Sequence, residues 1–227
     1  GIYGMMTAIK LAEKHGLTVE EVDKLTGTIS GRPKSATFRT ADVVGLDTLK
    51  NVSLTTYDKA LEDEERDTFK IPFLLQELVE TDRLGQKTRS GFYKKNEDRS
   101  LASVDLKNGE YSPLKQVRFD CFRIAKDRQS LPGKIKALCF GDDKGSTYFW
   151  EITARMLIYS ANRVPEISDD ILNIDNAMKW GFGWEAGPFE SWDMLGVQKT
   201  IKIMEKEGKK VPDWVSDMVH SGRTSFY

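Results

Sequence analysis

Few of the side chains that usually carry chemistry are present, and their spacing narrows what they can do. The chain has two histidines, His15 and His220, and two cysteines, Cys121 and Cys139. No Cys/His spacing suggests a zinc site, and the two histidines lie far apart, which leaves little material for acid–base chemistry. Both histidines read as solvent-facing residues near helix ends. The cysteines read as free, buried thiols in a reducing compartment, since a chain of 227 residues does not depend on disulfide staples. The acidic run at 62–67 reads as a solvated helix end or linker rather than a metal site. Gly181-Phe182-Gly183 opens no βαβ unit, so it is a poor dinucleotide cradle. What remains is Lys34, Ser35, Thr37 and Arg39, a polar and partly basic cluster where a loop runs into a helix. A helix N-terminus with basic neighbours can hold an anionic group, although capping and packing against another domain would account for the same residues.

The elements that must position this cluster are organised around the stretch Gly181-Phe182-Gly183-Trp184-Glu185-Ala186-Gly187-Pro188-Phe189-Glu190-Ser191-Trp192-Asp193-Met194-Leu195-Gly196. Pro188 suits a first helical turn, where its missing N–H costs nothing, and Gly196 suits the stop. A weaker copy runs from Gly31 to Gly45. Phe38 and Phe189, Asp42 and Asp193, and Gly45 and Gly196 are each separated by 151 residues. Val22-Asp23 pairs with Ile174-Asp175 at a shift of 152, so a one-residue gap falls in the intervening loop. The chain reads as duplicated. Two copies are too few for a solenoid, and a pair of related helical units is the better inference.

Other elements follow from local signals. A helix ends at Gly16; with no initiator methionine and no cap before Ile2, the sequence reads as part of a longer protein. Thr18 and Glu21 form a capping box. Helices are expected over 37–44 and 47–62, then from Pro72, and 94–112 is polar with a hairpin signal at Asn108-Gly109. The helix from Ser146 to Arg163 is apolar on most sides and should be buried among others. The tail, ending Phe226-Tyr227, reads as exposed aromatics at a second cut. Phe38, Phe189 and Trp192 read as core or as an apolar pocket, and Trp180 and Trp184 as residues of a domain interface.

Apolar residues make up 39% and charged residues 30%, as in a soluble folded protein. A formal net charge of −1 argues against nucleic acid as the main partner. No apolar run approaches a membrane span.

Four stretches together resemble a known family, the C-terminal domains of 3-hydroxyacyl-CoA dehydrogenases. They are Gly31 to Thr48, Leu84-Gly85-Gln86-Lys87-Thr88-Arg89-Ser90-Gly91-Phe92-Tyr93, Ala161-Asn162-Arg163-Val164-Pro165-Glu166-Ile167, and Met178-Lys179-Trp180 leading into the glycine motif. The likeness is greatest to bacterial fatty-acid-oxidation proteins with two tandem C-terminal domains. It implies an all-α fold of two related units similar to the helical domain of 6-phosphogluconate dehydrogenase. The units would cover 1–95 and 119–227, with a small polar linker at 96–118. It implies oxidation of (3S)-hydroxyacyl-CoA to 3-ketoacyl-CoA in a cytoplasmic enzyme. The NAD and the catalytic His/Glu pair would belong to an upstream nucleotide-binding domain absent from this sequence, leaving no catalytic or cofactor-binding residue in the chain. An enoyl-CoA hydratase-like domain follows in several relatives. Lys34, Ser35, Thr37 and Arg39 would then meet a thioester oxygen or a CoA phosphate, or pack against the upstream domain. Asn162 would be a substrate-polarising amide or a retained helix-end amide.

Overall fold

The computed structural model describes residues 1–227, and the chain divides into two compact units. One comprises Gly1–Gly27 and Lys34–Phe119, the other Thr28–Pro33 and Asp120–Tyr227. Twelve α-helices and one three-stranded sheet make up the regular structure. The fold is all-α apart from that minor sheet.

The first unit opens with α1 (Ile2–His15), which Gly16 closes in the left-handed conformation at φ 58°. That geometry costs glycine nothing. Thr18 starts α2 (Val19–Leu25): its hydroxyl accepts from Glu21 N at 3.3 Å, and Glu21 Oε2 accepts from Thr18 N at 2.8 Å. Then come α3 (Phe38–Val44), α4 (Leu46–Lys59) and α5 (Phe73–Glu80). Gly45 is the N-cap of α4, which starts one residue before the expected 47; Asp47 lies in its first turn and pairs with Lys87 at 2.6 Å. Met6, Ile9, Leu25, Phe38, Leu46, Leu49, Phe69 and Phe92 form the core of this unit.

The polar stretch expected as a linker carries most of the sheet. Strands β1 (Tyr93–Lys95), β2 (Leu101–Val104) and β3 (Tyr111–Pro113) pair antiparallel in that order, with Tyr93 opposite Ser103 and Val104 opposite Tyr111. Ala102, Ser103 and Val104 are buried, and Ser103 Oγ donates to Glu20 Oε1 at 2.7 Å. Strands of three or four residues are too short for alternation to stand out in a polar background.

The second unit holds α6 (Asp120–Lys126), α7 (Leu131–Cys139), α8 (Lys144–Asn162), α9 (Ile171–Phe182), α10 (Pro188–Leu195), α11 (Val197–Lys206) and α12 (Asp213–His220). Pro132 and Gly133 sit in the first turn of α7, behind the cap Ser130. Twelve of the nineteen residues of α8 are buried, as its apolar circumference requires. The segment Thr28–Pro33 belongs to this unit although its neighbours in sequence do not. The Gly31 carbonyl accepts from Glu185 N at 2.8 Å, and the Arg32 guanidinium lies 4.2 Å from the Trp184 ring centroid and 5.7 Å from that of Phe149. Gly31 adopts φ 72°, and a Cβ there would come within 2.8 Å of Leu131.

Candidate functional site

The loop at 34–39 is held from below by one carboxylate. Asp23, on α2, accepts from Thr37 N at 3.0 Å, Phe38 N at 2.7 Å, Arg39 N at 3.1 Å and Tyr93 Oη at 2.8 Å. The backbone donors at the start of α3 are therefore already satisfied by the chain itself, which leaves side chains to meet any ligand. Thr37 is buried, and its hydroxyl donates to Thr26 Oγ1 at 2.9 Å. Thr40 Oγ1 donates to Ala36 O at 2.6 Å and lies 2.8 Å from Ser35 Oγ. Lys34 and Arg39 are exposed, the latter 4.9 Å from the Tyr93 ring centroid. The structure thus brings Lys34, Ser35, Thr37 and Arg39 onto one pinned loop. Asn162 is instead the last residue of α8, in the second unit.

A second carboxylate completes the arrangement. Asp42 accepts from Phe92 N and Tyr93 N, each at 2.8 Å, and a Cβ at Gly91 would collide with its carboxyl group. Phe92 packs edge-on against Phe38, with centroids 4.5 Å apart. Burial pushes Asp23 up to about 7 against the opposing effect of its hydrogen bonds, and pushes Asp42 up to about 6. Burial, and then the neighbouring Asp23 charge, raise Tyr93 out of the ordinary phenol range.

The same constellation recurs in the second unit. Asp175 accepts from Phe189 N at 2.8 Å, Glu190 N at 3.0 Å and Tyr227 Oη at 2.9 Å; Asp193 accepts from Phe226 N at 2.8 Å and Tyr227 N at 3.0 Å. Gly187 passes so close to Asp175 that any side chain there would overlap it. The tail is therefore not a pair of exposed aromatics. Phe226 is 3% exposed, packed against Phe189, Trp192 and Trp214, and only the Tyr227 ring retains a large exposed surface. The signal was in the sequence: Arg89-Ser90-Gly91-Phe92-Tyr93 and Arg223-Thr224-Ser225-Phe226-Tyr227 share Arg-x-x-Phe-Tyr. Phe38, Phe189 and Trp192, each with essentially no exposed surface, are core in these clusters.

Elsewhere the reactive side chains are quiet. Cys121 and Cys139 are buried free thiols, and burial pushes both up to about 12, far from the thiolate that a nucleophile needs. His15 and His220 lie in the last turns of α1 and α12. No group of three or more His, Cys, Asp or Glu is arranged to hold a metal ion. Gly181 lies inside α9 and Gly183 caps its C-terminal end at φ 64°, so neither glycine opens a helix N-terminus. No helix is long and apolar enough to cross a membrane.

Sequence comparison finds relatives of this chain. A model of the family "3-hydroxyacyl-CoA dehydrogenase, C-terminal domain" matches residues 3–95. The whole chain is 41% identical to a protein of Bacillus subtilis (strain 168) named as a probable 3-hydroxyacyl-CoA dehydrogenase, and covers 28% of it. Over 98 residues, 43% of this chain and 28% of the relative, it is 44% identical to a protein of the same name in Deinococcus radiodurans. A Rickettsia felis protein named as a fatty acid oxidation complex trifunctional enzyme is 25% identical over 173 residues, 74% of this chain and 22% of the relative. The chain thus spans about a quarter of the length of these curated relatives. Residues 3–95 are thus similar to the C-terminal domain of 3-hydroxyacyl-CoA dehydrogenases, and the whole chain is similar to a region of a relative that bears that name.

Proposed function

We propose that the chain is the substrate-side and assembly domain of an NAD-dependent enzyme that oxidises (3S)-hydroxyacyl-CoA to 3-ketoacyl-CoA in fatty-acid β-oxidation. The observation that carries this reading is identity of 41% along all 227 residues to a dehydrogenase relative, with the same buried aspartate–tyrosine constellation in both units. The two units are then duplicated copies of one C-terminal domain. NAD accepts the hydride in the complete cytoplasmic enzyme, held with the His/Glu pair by an upstream nucleotide-binding domain. The 227 residues alone are inactive. An enoyl-CoA hydratase-like domain is a further partner, in keeping with the trifunctional name of the Rickettsia relative.

Within this chain the work is positional. Asp23 fixes the loop so that Lys34, Ser35 and Arg39 present one polar edge to the acyl-CoA, with Thr37 buried behind them and bonded to Thr26. Asn162 offers a helix-end amide in the second copy. Preformed geometry of this kind removes ordering cost at the moment of binding.

The competing reading is a non-catalytic interaction module, favoured by the large exposed side chain of Trp180, 81% exposed on α9. Affinity separates the two. In a calorimetric titration the chain should bind acetoacetyl-CoA, and more tightly than free CoA, because a cleft wall recognises the acyl end. Equal binding of both, or none, contradicts the substrate-side reading and leaves the interaction module.

A further inference from the structure

The first unit contains a cavity of about 590 Å³ whose charged lining is almost entirely cationic. Arg39 comes from α3, Arg89 from the end of the short turn Gln86–Thr88, Lys95 from the end of β1, and Arg99 from the turn between β1 and β2. Sixty residues of sequence separate the first from the last, so the fold rather than a local basic run brings them together. The single acid in the lining, Asp42, is buried and spends both oxygens on Phe92 N and Tyr93 N. Arg39 stacks on Tyr93; Arg89, Lys95 and Arg99 reach no carboxylate at salt-bridge distance.

Two further observations show that these cations are held there at a cost. Arg89 has φ 59° and Arg99 φ 68°, the left-handed conformation that L-residues avoid and glycine adopts freely. Two of the four non-glycine residues with positive φ in this chain are arginines lining this one cavity. The second unit supplies the contrast. Arg223, the counterpart of Arg89, donates Nε to Ser225 O at 3.0 Å and Nη2 to Phe226 O at 2.5 Å, so its guanidinium is spent on its own tail. No such bond occupies Arg89.

We propose that this cavity binds an organic phosphate ester carrying two or more negative charges. Four cations against one committed carboxylate exceed what a single carboxylate ligand would neutralise, and guanidinium groups match phosphate oxygens in pairs. The volume falls within the range of small-molecule sites. Val43, Leu101 and the Tyr93 ring give the cavity an apolar wall, which inorganic phosphate would leave uncovered. The same ester chemistry occurs in a free nucleotide and in the phosphorylated adenosine end of a CoA. Arg39 also belongs to the edge assigned to the acyl-CoA, so the CoA arm of this inference rests on that reading, whereas Arg89, Lys95 and Arg99 play no part in it.

The test is isothermal titration of the chain with ADP, CoA and inorganic pyrophosphate, repeated with Arg89→Gly/Arg99→Gly. Glycine removes both cations while relieving the backbone, so the variant should melt no lower than the parent. Its affinity for the organic esters should be weaker by about tenfold or more, and the parent's binding should fade as salt screens the charges. Tighter binding of ADP than of CoA assigns the site to free nucleotides, and the reverse assigns it to the CoA end. The proposal is overturned if neither ester binds, if the double variant binds as well as the parent, or if pyrophosphate matches both esters.

Discussion

Replacing Phe226 with alanine should destabilise the protein by about 4 kcal/mol, which lowers Tm by roughly 10 °C in a chain of this size. The phenyl ring is 3% exposed and lies 5.0 Å from Phe189, 5.3 Å from Trp192 and 5.9 Å from Trp214, centroid to centroid. Removing it leaves a cavity among rigid aromatic rings that cannot collapse to fill it. It also loosens the backbone that satisfies Asp193. Tyr227→Phe should cost only about 1 kcal/mol, the net worth of one hydrogen bond to Asp175. Thermal or urea denaturation of the two variants checks the pair of values. A loss below about 1 kcal/mol for Phe226→Ala would mean that the tail does not dock as described.

Asp23→Ala is the second large effect, about 3 kcal/mol, because it orphans three backbone N–H groups and the Tyr93 hydroxyl together. Its conservative companion, Asp23→Asn, reads out the charge. The folded pKa of Asp23, about 7, lies above its ordinary 3.8, so the folded state retains a proton that the unfolded chain gives up. The stability owed to that proton is fully present below the unfolded value and is lost as pH rises towards about 7. Asp42, pushed up to about 6, adds a contribution of the same sign. The parent should therefore lose more stability than Asp23→Asn between about pH 5 and about pH 8. Equal slopes in denaturant midpoints across that interval would contradict the assignment.

The recurrence of the aspartates was legible because they are single residues with fixed jobs. Asp23 and Asp175 must accept helix-start N–H groups, and Asp42 and Asp193 must accept the N–H groups of a Phe-Tyr pair, so their spacing survives in the chain. The capping box at Thr18 and the αL stop at Gly16 were legible for the same reason: each is decided by a few neighbouring atoms. Of the sheet only the hairpin turn at Asn108-Gly109 was legible, since the strands are too short to show a period, and Ser103 is buried through Glu20, 83 residues away. The docking of Phe226 was signalled only by the shared Arg-x-x-Phe-Tyr, because the contacts themselves come from rings of α10 and α12. At the candidate site the sequence located the 34–39 loop, but not the carboxylate that occupies the helix start. The cationic cavity was out of reach because its four charges converge only after the hairpin folds.

The measurement that tests the central claim most directly is NADH oxidation with acetoacetyl-CoA. It would be followed for the 227-residue chain alone, and for the chain mixed with the portion of the Bacillus subtilis relative that lies outside the match. That portion should also be assayed by itself. Activity in the mixture well above either component is the predicted result, with none from the chain alone. Turnover by the chain alone, or full activity of the other portion without it, would contradict the account.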